Sequence, residues 1–249
     1  MLKKLFLTIL MMWQLPAIAG YRYTIPENTP SKIAIIIDDI GYSIALGQRT
    51  IDIEGKLTLA VLPKTPGAQS LAKAGFAAGK EIMLHAPMSN KSDFALGPGG
   101  LTPDQDKQTF LKVLSSNIDN IPHIRGINNH MGSELTTYKK QMNWVMEVIK
   151  PKGLYFIDSL TNGRSVALKV AQQHGIVSQK RDIFLDHIQD EVAIEKAFHQ
   201  LLKTAQLNGF AIGIGHPYPE TLTVLERLLP TITDKNIELV HISTLLEVN

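Results

Sequence analysis

From Ile33 to Ile37 the chain runs through five apolar residues without a break, then turns abruptly polar at Asp38-Asp39-Ile40-Gly41-Tyr42. A mostly β-branched run of this kind is the pattern of a strand covered on both faces. Short apolar runs recur at Leu57–Leu62, Glu81–Leu84, Ile124–Ile127, Leu154–Ile157, Ile176–Ser178, Phe210–Ile214 and Glu238–Val240. Segments with helical features lie between them. Ser43 is placed to cap a short helix to Ile51. Thr65-Pro66 opens an Ala-rich helix to about Ala78, and Thr102-Pro103-Asp104 opens another to about Asn120. Tyr138–Ile149 is amphipathic and is broken by Pro151 and Gly153; helices over Ser165–His174, Glu191–Leu207 and Glu220–Leu229 follow. Ser89–Leu101, with Gly97, Pro98, Gly99 and Gly100, is a loop long enough to suggest function. Strand then helix, repeated seven or eight times, predicts an α/β fold with a parallel sheet. The expectation is a single-domain distorted (β/α) barrel of about seven parallel strands over residues 32–249, ahead of an open doubly wound sheet.

The first residues follow a different pattern. Lys3 and Lys4 precede a short apolar stretch, Leu5–Trp13, and Ala17-Ile18-Ala19 has the small-x-small spacing of a cleavage site. This predicts a secretory signal over residues 1–19, preferred to an uncleaved anchor, with a leader over residues 20–31. The expected location is an exported compartment such as a bacterial periplasm, with no stable membrane span once the signal is cut. Of the 25 basic residues only Lys3 and Lys4 lie in that signal, and none of the 23 acidic ones, so the remaining chain is formally neutral. That argues against a nucleic-acid partner. The chain has no cysteine, which excludes thiol catalysis and cysteine metal sites.

The chemistry gathers at strand ends. Asp38, Asp39, His85, His130, Asp158, Arg181, Asp182, His216 and His241 all follow predicted strands directly, and in a (β/α) barrel those positions share one rim. His123, His174, His187 and His199 fall elsewhere. Borderline cations such as zinc take imidazole and carboxylate, and a catalytic site needs about three protein ligands. Asp39, His85 and His130 supply that set. Asp38 is then free to act as a general base, His216 to protonate a leaving group, and Asp158 or Asp182 to orient His216. Asn129, Ser133, Arg181 and Asp182 are assigned supporting or substrate-binding places. Asp38 and Asp39 are neighbours in an extended chain and face opposite ways unless the backbone turns, which Gly41 allows. No Gly-x-Ser-x-Gly elbow and no Walker or dinucleotide spacing is present.

Ile37-Asp38-Asp39-Ile40-Gly41 resembles the Thr-Phe-Asp-Asp-Gly motif of polysaccharide deacetylases, and Leu84-His85-Ala86-Pro87-Met88 and Ile214-Gly215-His216 resemble their second and late histidine motifs. Asn128–Ser133 and Leu154–Ser159 point to the divergent subgroup of that family. The resemblance implies a distorted (β/α) barrel and metal-dependent removal of N- or O-acetyl groups from a carbohydrate, here a peptidoglycan-like envelope glycan. It assigns Asp38 as base, Asp39 and His85 as metal ligands and His216 as acid. Two departures stand out. Ser89 occupies the place of the usual second histidine, and neither Arg125 nor Arg181 is a secure match to the arginine motif. The alternative is therefore a catalytically inactive relative that binds a glycan or an envelope protein.

Overall fold

The computed structural model describes residues 29–247; the signal segment and most of the leader lie outside them. The chain runs β1 (Ser31–Ile40), α1 (Ile44–Asp52), β2 (Thr58–Val61), α2 (Ala68–Ala77), β3 (Glu81–Met88), α3 (Lys107–Asn120), β4 (Ile124–Met131), α4 (Lys139–Ile149) and β5 (Tyr155–Asp158). It continues with α5 (Ala167–Gln173), β6 (Ser178–Lys180), β7 (Ile183–Phe184), α6 (Glu191–Asn208), β8 (Phe210–Gly215), α7 (Pro219–Leu228), β9 (Ile237–Leu239) and α8 (Ile242–Leu246). Ser43 caps α1 as expected, its side chain accepting from Leu46 N. Two helices are not capped where expected. The Thr65 hydroxyl turns back to the carbonyl of Leu62 instead of capping α2, and Asp106 caps α3 through Thr109 N. Among the described residues no helix is long and apolar enough to cross a membrane.

Among the described residues nine strands form one sheet, the eight expected runs and the short β7, in the order β6-β5-β4-β3-β2-β1-β8-β7 with β9 off this path, and every pairing is parallel. On the side of β1 that β2 occupies at its upper half, β9 pairs with its lower end, Ser31–Ile33. The two ends of the sheet meet at a seam between β6 and β7, where Arg181 N donates to Asp158 O on β5 and Asp182 N donates to Ile212 O on β8. Two consecutive residues thus bridge the gap, so the barrel is closed by the covalent chain rather than by a ladder.

The two-residue period of a strand sorts side chains into two cores. Ile33, Ile35 and Ile37 pack outward under the helices, together with Leu59, Ile82, Leu84 and Phe156. Ala34, Ile36, Ala60, Met83, Tyr155, Ile157, Ile212 and Ile214 point inward. Gly126 makes room for this interior, since a Cβ there would fall 2.1 Å from the Tyr155 ring. Val240, Ile242, Leu245 and Leu246 close the barrel floor from below, the last three on α8. Filled and plugged in this way, the barrel leaves its upper, C-terminal rim as the place where strand-end side chains gather.

Candidate metal centre and catalytic cleft

The interior rows lead straight to the site. Two residues beyond Ile36, Met83 and Ile214 come Asp38, His85 and His216, and on β4 the row of Gly126 continues through Asn128 to His130. Asp39 is one residue out of step and enters the same space because its backbone is left-handed, at φ 58°. The turn is thus made at Asp39 itself as well as at Gly41. Met131 and Leu160, at the ends of β4 and β5, are also left-handed, at φ 52° and 49°. Such non-glycine conformations cost roughly 1–3 kcal/mol each and gather where function requires them.

Three donor atoms converge. His130 Nδ1 lies 2.8 Å and His85 Nε2 3.2 Å from Asp39 Oδ1, and the two ring nitrogens are 3.2 Å apart. A triangle of that size suits a cation held at the roughly 2.0–2.2 Å that zinc adopts with imidazole and carboxylate. Asp39 Oδ1 is buried yet accepts no well-formed hydrogen bond, as expected of an atom aimed at a cation. The residues therefore fit a metal.

Ser89 does not contribute. His85 lies within β3, and four residues along a strand span about 13 Å, so a ligand at 89 cannot share an ion with it. Ser89 is instead tied to the neighbouring loops, its N–H donating to Leu101 O and its carbonyl accepting from Glu134 and Leu135. His130 comes from the adjacent strand, where it is paired with Pro87.

Around the triad stand Asp38, with Oδ2 3.6 Å from His85 Nε2, and His216, with Nε2 3.9 Å from Asp39 Oδ2. Burial pushes the Asp38 carboxyl up, against the pull of His85, His216 and Asn128. Burial also acts to raise Asp39, but the imidazoles of His130 and His85 outweigh it and hold that carboxyl well below the usual range. Burial disfavours the His85 imidazolium, yet Asp38 and Asp39 raise it overall; a bound metal would take the place of its Nε2 proton. Burial likewise opposes the His216 imidazolium, but Asp186 overrides it and His216 is pushed up to about 9.

The acid that orients His216 is Asp186. Its Oδ1 accepts from His216 Nδ1 at 3.0 Å, while its Oδ2 accepts from His216 N and from Thr221 Oγ1. This corrects the expectation of Asp158 or Asp182. Asp158 belongs to the outward row and is occupied by Leu160 N and Ser165 Oγ; Asp182 lies at the seam and accepts from Ile212 N. His241 is also displaced. It follows β9, which pairs only with the lower end of β1, and contacts Gly79 O. Arg125 lines a depression with Lys150 and Ser243 outside the cleft.

Arg181 lines the cleft, donating to the carbonyls of Ser159 and Leu160 and lying over the Phe184 ring. Asn129 lines it too, held by Ser159 N and Met131 O. Ser133 instead ties two loops together, accepting from Lys91 N and Asn162 Nδ2. Sequence reasoning missed Asp186, Asn128 and His187, the last of which also lines this cleft of about 400 Å3. The signal for Asn128 was available, two residues before His130 on the same strand.

Comparison with known proteins agrees with this fold. The chain is 36% identical over 215 residues to the uncharacterized protein YibQ of Escherichia coli (strain K12), covering 86% of this chain and 67% of that one. A crystal structure of the uncharacterized protein ATU2773 from Agrobacterium tumefaciens C58 superposes with a TM-score of 0.84 at 22% identity, over 89% of this chain and 92% of that one. The peptidoglycan deacetylase PdaC from Bacillus subtilis shares the fold with a TM-score of 0.54 at 14% identity, over 89% and 93% of the two chains. The family model for divergent polysaccharide deacetylases matches residues 35–246. By that match across nearly the whole described barrel, and by the acids and histidines found at its rim, the chain belongs to the divergent polysaccharide deacetylase family.

Proposed function

We propose that this chain is an exported, metal-dependent hydrolase that removes N- or O-acetyl groups from a glycan of the cell envelope. The observation that carries the reading is the convergence of Asp39 Oδ1, His85 Nε2 and His130 Nδ1, with Asp39 Oδ1 buried and lacking a hydrogen bond. Asp39, His85 and His130 would hold a divalent metal, with zinc the proposed ion, which would supply Lewis-acid polarisation of the acetyl carbonyl and a water of lowered pKa. Asp38 takes a proton from the attacking water through Oδ2, its Oδ1 being held by Asn128 Nδ2 at 2.7 Å. His216 donates from Nε2 to the departing amine or alcohol, and Asp186 keeps the other ring proton on Nδ1. Asn129 and Arg181 shape the wall that faces the substrate.

The export signal expected over residues 1–19 supports a substrate outside the cytoplasm, and the peptidoglycan activity stated for PdaC supports a glycan. A non-catalytic glycan or envelope-protein binder is the second reading, raised by Ser89. The position of His130 weakens it, because the ligand absent at 89 is supplied from β4. Acetate release from acetylated glucosamine oligomers by the zinc-loaded chain tests the proposal. Release that disappears in Asp38→Asn with metal retained is expected; zinc binding without acetate release from amide or ester substrates would refute it.

A further inference from the structure

Asn128 is fully buried and reaches from β4 to the barrel axis, between two groups that the proposed reaction uses differently. Its Oδ1 lies 2.7 Å from His85 Nδ1 and its Nδ2 2.7 Å from Asp38 Oδ1, with Ser159 Oγ at 3.3 Å from the same nitrogen. The chemistry of an amide fixes the direction of each bond. The oxygen only accepts and the nitrogen only donates. Asp38 needs a donor at Oδ1, so Nδ2 faces it; Oδ1 must then face His85, and His85 must carry its proton on Nδ1. The Nε2 lone pair is left pointing at Asp39 and His130.

We infer that Asn128 is a positioning residue that sets two states at once: the Nδ1–H tautomer of His85, which makes Nε2 a metal ligand, and the orientation of Asp38, which leaves Oδ2 as its reactive oxygen. This rests on the metal-hydrolase reading above. No other standard side chain of this size serves both partners. An ionised aspartate accepts from His85 but has nothing to donate to Asp38 and places a like charge beside it, and a proton shared between the two carboxyls would take the base out of its reactive form. A leucine of similar volume serves neither. The hydrogen bond on the far nitrogen of a ligating histidine is the usual means of fixing its ring and proton; here the same amide also holds the base.

The two roles separate in two variants of the full chain. Zinc affinity is measured by competition with a chromophoric chelator, and the His85 tautomer by two-bond ¹H–¹⁵N correlations of the zinc-loaded protein. Asn128→Leu is expected to lose about 10–100-fold in zinc affinity and the single Nδ1–H form of His85. Asn128→Asp is expected to keep wild-type zinc affinity and the tautomer, while kcat on acetylated glucosamine oligomers falls roughly tenfold or more with little change in KM. Wild-type zinc affinity in Asn128→Leu, equal zinc loss in both variants, or full kcat in Asn128→Asp would each overturn the inference. If Asn128→Leu fails to fold, the isosteric Asn128→Asp still decides it through its split between metal and rate. Wild-type protein that binds zinc but releases no acetate overturns the proposed function instead, and the zinc and tautomer readings still judge the link from Asn128 to His85.

Discussion

Replacing Asp186 by Asn removes the charge that keeps His216 protonated while preserving the side-chain shape. Burial alone lowers the His216 imidazolium, and the Asp186 hydrogen bond and charge, with the charges of Asp38 and Asp39 behind them, raise it to about 9 from the ordinary 6.5. A raised pKa means the proton is held through the neutral range and lost as pH climbs through that value. At pH 8 a group titrating at 9 is about nine-tenths protonated, and one titrating at 6.5 only about 3%. If His216 is the acid, and burial and the remaining Asp38 and Asp39 charges offset each other so that Asp186→Asn returns it to about 6.5, the variant should lose roughly 30-fold in kcat at pH 8 but less than about twofold at pH 6. The assay is a pH–rate profile of acetate release at saturating substrate and zinc. A cation on Asp39 acts on both proteins alike, so the displacement of the alkaline limb between them is the quantity to read. An unmoved limb, or an equal loss at every pH, would refute the assignment of His216 as an acid governed by Asp186.

Three further outcomes follow from the structure. His130→Ala should abolish metal binding with an unchanged circular dichroism spectrum, whereas Ser89→Ala should keep full metal content; metal retained in the first would remove His130 from the ligand set, and metal lost in the second would add Ser89 to it. Asp38→Asn should bind zinc normally and lose about 10²–10⁴-fold in acetate release, the range of general acid–base catalysis, and retained activity would remove Asp38 from the mechanism. Leu245→Ala should lower stability by about 2–5 kcal/mol in urea unfolding, because Leu245 is buried in the plug beneath the barrel; a loss below 0.5 kcal/mol would mean that α8 is not a structural floor.

The alternating apolar pattern made most of the barrel legible. A strand that buries Ile36, Met83 or Ile214 must place the residue two further on in the same interior, which is why Asp38, His85 and His216 were found from strand ends alone. Asp158 failed by the same rule: it follows Ile157, an inward residue, and so faces the helices. His241 failed because the level at which β9 joins the sheet is a matter of register, which its short apolar run does not specify. Asp186 was invisible because β7, the strand before it, is only Ile183–Phe184, too short to produce a period. The entry of Asp39 depends on its own left-handed backbone, which a carboxylate tolerates but does not announce.

The proposed chemistry depends on three strand ends building one metal site. The most direct measurement is the metal content of the full chain purified without chelators, set beside that of His85→Ala. Close to one transition-metal ion per chain is expected in the first and almost none in the second, both proteins being folded. No metal in the wild-type chain even after zinc is added, or equal metal in both proteins, would contradict it.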